Sequence, residues 1–487
     1  MRRCRRPWVS GLSFMTAALV SLLVGDHLSA QTPAPTPPLS SPPLSSTHRE
    51  TDPYEQAPTL FSGPNGDVLR VSYRANREAG SGAVIVATPS SGSALRTLVE
   101  IDPREAGITA GTPDLAVGPA GELRVAYQWW RKDPTTKQIR LALSDDGGKT
   151  WTQPTTAVDS SNKGFQPKIG WGRAKNLAVV WSDERRPAPG RRVWDIYARH
   201  SPDGGQTWEP EQLLSRFPQH AITDAYFRPE LLSDNQNRFW VVWVGIRSGR
   251  SRLFLSRSTD GGRTWADPLE LSGQSQSVFG QRLVGSGDRL LVVWMDKRTG
   301  HDRIFAVTST DGGLTWTSPS RVDHLPTELV TDAVLPAVVM TPEGEALVAW
   351  HDGRNGRDDI FVTRSVDGGR TWEGEDLRLD MDEAGTGVSR FASLARAKDG
   401  KIAVAWEDDR AGYEGVYLRV RGTGAKPQWG PEILVEPAGP KKAARTPVVL
   451  WGKDGSVYLT WEVWNYAAGP MSISKRLDGR AMVVDKK

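Results

Sequence analysis

The chain has a single cysteine in 487 residues, and that one, Cys4, stands fourth from the start. No disulfide can form within the chain beyond it, and no cysteine metal site can form there. Histidine is scarce too: the seven present show no ligand-like spacing, so neither a metal nor a cofactor is expected. Lysine and arginine never cluster with interleaved aromatics, which argues against a nucleic-acid partner. Long apolar runs are missing apart from Val9 to Val24, which is short for a membrane span and broken by polar residues. It follows Arg2, Arg3, Arg5 and Arg6 and precedes Leu28-Ser29-Ala30, the order of a secretory leader, with a retained anchor as the alternative. Residues 1–30 are therefore expected to be a signal peptide, residues 31–55, rich in Pro, Ser and Thr, a linker, and residues 56–487 one large domain. Setting the leader aside lowers the formal net charge from +4 to +1. The expectation is a secreted or periplasmic monomer with no membrane span once the leader is removed.

What the chain has in quantity is glycine (49), proline (34) and tryptophan (20), a composition for strands and turns. The sequence Ser144-Asp-Asp-Gly-Gly-Lys-Thr-Trp151 recurs in close copies from Ser201, Ser258, Ser309 and Ser365. Upstream of each copy runs an apolar strand ending in an aromatic residue. That strand is found eight times, ending at Tyr73, Tyr127, Trp181, Trp243, Trp294, Trp350, Trp406 and Trp461. Each copy holds four short runs with period-2 patterning, and such units repeated radially predict an all-β fold. The specific expectation is a β-propeller of four-stranded antiparallel blades, eight in number, with seven as the alternative.

The box explains itself structurally. Its aspartate can accept backbone N–H bonds within the turn, its glycine pair supplies positive φ, its threonine hydroxyl closes the loop, and its tryptophan packs between strands. A second repeat follows the aromatic residue: Trp181-Ser-Asp183-Glu-Arg185, Trp294-Met-Asp296-Lys-Arg298, Trp350-His-Asp352-Gly-Arg354 and Trp406-Glu-Asp408-Asp-Arg410. There the aspartate and arginine are expected to pair and order the loop. Arg77, Arg131 and Arg247 lack that aspartate and are expected to be available to an anion.

Ser-x-Asp-x-Gly-x-Thr-Trp is the Asp-box, and over nearly its whole mature length the chain resembles the sialidase-type, or BNR-repeat, propeller proteins of bacteria. That resemblance implies a box-bearing face remote from the active site. It also implies three arginines holding a substrate carboxylate, a tyrosine–glutamate nucleophile pair and an aspartate acid/base. Departures from the repeat are the candidate positions, because blade packing does not demand them. Arg228, Arg390 and Arg445 stand at the entrances of inner strands, with Arg282 aligned less securely. Asp224 and Asp332 lie in matching Thr-Asp-Ala segments, Tyr226 is the tyrosine nearest the arginines, and Glu383 precedes Arg390. Trp129, Trp130 and Trp464 offer indole faces on which a sugar ring could stack. Arg228-Pro229 lacks the residue that separates arginine and proline in the family motif, which puts the triad in doubt. Two functions follow: a glycoside hydrolase of exo-α-sialidase type, or a non-catalytic propeller that binds glycan or protein. Arginines converging beside an Asp and a Tyr would favour the first, and arginines each paired to an acid the second.

Overall fold

Valine, alanine and tryptophan in runs of seven to ten, punctuated by glycine, suit strands and leave no helical period. The computed structural model accordingly contains thirty strands and no helix among the described residues. Those residues run from 54 to 478, apart from 64–67, 77–80, 90–94, 102–107, 132–135, 153–157, 188–192, 218–223, 425–426, 438–441 and 466–468. The expected leader, and all but the last two residues of the linker, lie outside that range.

The strands fall into eight sequential units. Units 1 and 2 (54–101 and 108–144) share one seven-stranded sheet through a single parallel pairing of Gly82 with Thr109. Units 3 to 7 (164–213, 225–270, 278–321, 333–378 and 389–436) are four-stranded antiparallel sheets, and unit 8 (442–478) has three strands. Four strands per unit is thus met in units 1 and 3 to 7, and units 2 and 8 show three among the described residues. The first strand, Tyr54–Ser62, packs against all three strands of unit 8.

Second strands are buried on both faces. Leu177–Asp183, Ala346–Asp352 and Ile402–Asp408 are buried at every position, which is why they read as continuous apolar runs rather than alternating ones. Their terminal tryptophans 181, 243, 294, 350, 406 and 461 are wholly inaccessible to solvent. In units 3 to 7 that tryptophan faces an aromatic of the third strand across the ladder, at centroid distances of 6.1 to 6.5 Å. Burial of such a ring contributes on the order of 4–6 kcal/mol as an upper figure.

First strands carry a feature that the sequence does not announce. In all eight units the pairing of first and second strand slips by one residue, at Gln56/Thr59, Gly111/Asp114, Phe165/Lys168, Phe227/Glu230, Phe279/Arg282, Val334/Ala337, Arg390/Ser393 and Arg445/Val448. The extra residue is a β-bulge. Seven of the eight bulge residues have positive φ: Thr112, Gln166, Arg228, Gly280, Leu335, Phe391 and Thr446, between 45° and 63°. Proline follows in five of these seven because its fixed φ suits the step and the ladder is already broken there.

The boxes of units 3 to 6 join third to fourth strand, that of unit 2 follows its third strand, and the Ser–Asp–Thr bonds of all five close alike. Ser258 Oγ donates to Asp260 Oδ1 (2.8 Å) and accepts from Gly262 N (2.9 Å). The Thr264 N–H and hydroxyl both donate to Asp260 (2.9 and 2.6 Å), and Trp265 Nε1 donates to Gly262 O (3.0 Å). Gly261 and Gly262 sit at φ of 85° and 89°, where a side chain would be strained. In the unit 5 copy, the Thr315 hydroxyl and N–H pull the Asp311 carboxyl down to about 2. The boxes are turn staples.

Replacing Asp260 by alanine removes three such bonds and is expected to cost about 1–2 kcal/mol. The double variant Asp260→Ala with Asp367→Ala, in separate units, should lose the sum. Urea midpoints of the single and double variants check both values.

Candidate functional site

Antiparallel order places the boxes and the first-to-second turns at one end of each unit. At the other end lie the second-to-third loops and the entrances of the first strands. Here the repeated Asp–Arg pairs behave as expected. Asp183 accepts from Trp181 Nε1 (2.9 Å) and from Arg185 Nη2 (2.7 Å), and the guanidinium lies over the Tyr197 ring at 3.9 Å. The same stack recurs at Arg298 over Phe305, Arg354 over Phe361 and Arg410 over Tyr417 (4.2, 3.8 and 4.3 Å). These arginines are loop staples.

The arginines without a repeat aspartate find other partners. Arg247 lies 3.6 Å from Asp224 and over the Phe217 ring at 4.4 Å, so it is not left to an external anion. Arg131 stacks on Trp129 at 5.2 Å, and Arg77 lies outside the described residues. Trp129 is buried, with Arg140 over its ring at 3.9 Å, whereas Trp130 is 37% exposed. The side chain of Trp464 lies outside the described residues.

Of the four candidate carboxylates and hydroxyls only Asp224 and Tyr226 meet, and they do so inside the core. Tyr226 is fully buried, stacked on Phe217 at 5.2 Å and edge-on to Phe254 at 6.0 Å; burial, with Asp224 nearby, drives its phenol far above the usual value. The bulge explains this: residues two apart would share a face in a regular strand, but Arg228 sits on the bulge and Tyr226 before it faces the core. Asp224, equally buried, accepts a long bond from the Tyr226 hydroxyl (3.4 Å) and balances Arg247. Asp332 is half exposed and accepts the Asp302 N–H (2.8 Å), 3.5 Å from His301. Glu383 is exposed on its loop, where its carbonyl accepts from Thr386.

Nor are the four arginines equivalent. Arg390 and Arg445 precede the bulge residue, Arg228 is the bulge residue, and Arg282 comes two after it. Arg390 Nε donates to Asp358 Oδ2 (2.5 Å) and Arg445 Nη2 to Glu414 Oε1 (2.7 Å), in each case across to the preceding unit. Arg282 lies 3.9 Å from Glu230. Among the described residues no hydrogen bond or ion pair holds the Arg228 guanidinium, and desolvation followed by the nearby Arg282 lowers its pKa.

Two charge groupings result. Residues two past the bulge in units 2 to 5 are Asp114, Lys168, Glu230 and Arg282, an alternating row across four adjacent first strands. Lys168 lies 3.6 Å from Glu230, and Asp114 accepts the Ile169 N–H at 2.9 Å. On units 6 to 8, Asp358, Arg390, Glu407, Arg445 and Glu414 form the second grouping. Glu407 is buried beneath the bulge of unit 8, accepting the Thr446 N–H at 2.9 Å. Burial pushes it up to about 7 against that bond and the two arginines. Glu407 was not among the sequence candidates. Its signal was there, as a glutamate in the middle of Trp-x-Asp where other units put Ser182, Met295 or His351.

The acid triplet Asp359, Asp380 and Asp382, with oxygens within 4.8 Å of one another, is already occupied by Arg378 Nη2 at 3.0, 2.7 and 2.5 Å. A guanidinium stands where a cation would sit.

Glu407 binds its proton more tightly folded than unfolded, so its contribution to stability is complete below about pH 4.5 and disappears as pH rises through about 7. Glu407→Gln should flatten that decline, which thermal midpoints between pH 4 and 8 would register.

Residues 67–294 match the BNR repeat-like domain. A sialidase from Bacteroides fragilis is 25% identical, over 39% of this chain and 39% of its own length, so this chain spans well under half of that relative. Among solved structures, an α-L-arabinanase from Penicillium chrysogenum superposes at TM-score 0.40 with 15% identity, over 76% of this chain and 94% of its own. A sialidase from Streptococcus pneumoniae does so at 0.38 with 10% identity, over 89% and 95%. Likeness at that level says nothing of activity. The boxes in units 2 to 6 and the matched segment make the chain similar to BNR-repeat, sialidase-like proteins.

Proposed function

We propose that the eight units close into an eight-bladed propeller, exported behind a cleaved leader, whose channel face binds a sugar carboxylate of sialic-acid type. The eight register slips and the packing of Tyr54–Ser62 against unit 8 support closure. One observation carries the ligand reading: Arg228 is the single charged side chain among the seven positive-φ bulge residues and has no counter-ion among the described residues. The row Asp114, Lys168, Glu230 and Arg282 balances itself, so the Arg228 charge remains uncompensated. A desolvated guanidinium beside a second cation favours a bidentate carboxylate.

Binding without hydrolysis is the better supported form, because Tyr226 is sealed in the core and Arg390 and Arg445 are each neutralised by an acid. A hydrolase reading rests on Glu407, a buried carboxyl titrating near 7 between two arginines and suited to donate a proton.

Calorimetric titration with N-acetylneuraminic acid and its methyl ester separates charge from ring shape. The acid should bind at least about tenfold more tightly, and Arg228→Ala should abolish that difference. Equal affinities, or an unchanged Arg228→Ala, would refute the assignment. Release of fluorophore from a 4-methylumbelliferyl sialoside by the wild type, lost in Glu407→Gln, would decide for hydrolysis.

A further inference from the structure

Units 2 to 6 all end their third strand in a serine that anchors the box: Ser144, Ser201, Ser258, Ser309 and Ser365. Unit 7 does not. Its third strand, Gly415–Arg421, ends in an arginine, and the hairpin that follows is closed by backbone instead, with Gly422 N donating to Gln428 O (2.9 Å) and Gly430 N to Val420 O (2.8 Å). The tryptophan is kept, as Trp429, bridged to Arg421. Where the box would have filled space between units 6 and 7 there is a cavity of about 360 Å³, within the range that holds a small ligand.

The lining has three features that belong together. Leu347 and Val362, both buried, give an apolar floor, and Trp429 gives an aromatic wall. Arg421 and Arg364 both donate to Glu345 (2.8 and 2.5 Å), and Arg364 also reaches Glu373 at 3.1 Å. Two guanidinium groups thus face two carboxylates, and the charge sums to zero. Finally, Arg421 is 3% exposed and Thr363 2%, yet Arg421 Nε and Thr363 Oγ1 have no hydrogen-bond partner among the described residues. A buried polar group left unmade costs about 1–3 kcal/mol, so both atoms favour a ligand able to satisfy them.

We propose that this cavity is a binding site for an uncharged pyranose unit, at the end of the molecule opposite Arg228. A pyranose presents an apolar C–H face to an indole and floor and a rim of hydroxyls to mixed donors and acceptors. Arginines already neutralised by Glu345 behind them, with Glu373 on the wall itself, disfavour an acidic sugar. The site arises from the loss of one box and does not depend on the proposed carboxylate site.

The test is calorimetric titration of the full chain with D-glucose, D-galactose, N-acetyl-D-glucosamine and N-acetylneuraminic acid. At least one neutral sugar should bind. Trp429→Ala should weaken it about three- to tenfold by loss of stacking, and the near-isosteric Thr363→Val about fivefold by loss of one bond. Arg228→Ala should leave it unchanged, which separates this site from the carboxylate site. Circular dichroism confirms that each variant is folded, and Thr363→Val serves if Trp429→Ala is not. No binding of any neutral sugar, neutral-sugar binding indifferent to both substitutions, or preference for N-acetylneuraminic acid dependent on Trp429 would overturn the proposal.

Discussion

One extra residue in the first strand of every unit sets the relation between neighbouring sheets. At the bulge the backbone turns to positive φ and its N–H leaves the ladder of its own unit. In units 6 and 8 the preceding unit receives it. Thr446 N donates to Glu407 Oε2 at 2.9 Å, and Leu335 N lies 3.0 Å from Met295 Sδ. Three residues further along, Ile169 N donates to Asp114 and Val449 N to Ser393 (2.9 and 3.2 Å), again from one unit to the one before. Because the slip shifts alternation by one, side chains before and after it share a sheet face they would otherwise divide. The positions of Glu407, Arg390, Arg445 and the alternating charge row all follow from that step.

Charge balance then separates scaffold from site. A guanidinium over an aromatic ring and against a carboxylate, as in Arg185, Arg298, Arg354 and Arg410, is saturated and orders its loop. Repetition in four units fits that role, since the contact answers a need common to the units. Arg228 answers none of those needs. Its bulge position accepts Thr, Gln, Gly, Leu or Phe elsewhere, so the backbone sets the conformation and leaves the side chain open to selection. The positive φ is therefore scaffold, and only the charge placed on it points to a ligand.

Legibility in the sequence follows the range of the contacts. The box closes within eight residues, so its letters state its bonds, and the buried second strands show as apolar runs ending in tryptophan. The Asp–Arg staple spans two residues and was equally readable. Pairings such as Arg390–Asp358 and Arg445–Glu414 join residues more than thirty apart in different units, where no local pattern marks them. The bulge was hidden for a different reason. Proline marks it in several units but not at Gly280 or Phe391, and without it Arg228, Arg390 and Arg445 align as equivalents although they occupy two different steps. Tyr226 looked close to the arginines along the chain, and the bulge at Arg228 left it facing the core instead.

Repeat folds can give up a staple in one unit because neighbours hold the rest of the sheet stack. Unit 7 does this: the ladder at Gly422 and Gly430 closes its hairpin without a box, and Arg421 crosses to Glu345 of unit 6 in place of a local serine. The exchange replaces bonds internal to one turn with a bond between units, so the hairpin stays closed while space opens beside it. Residues that fill that space in a boxed unit are bound to their own backbone, whereas Thr363 Oγ1 and Arg421 Nε have no partner among the described residues. The serine, aspartate and threonine of every box from unit 2 to unit 6 are spent on their own turn, so unused capacity beside a cavity in unit 7 fits a surface shaped for something outside the chain.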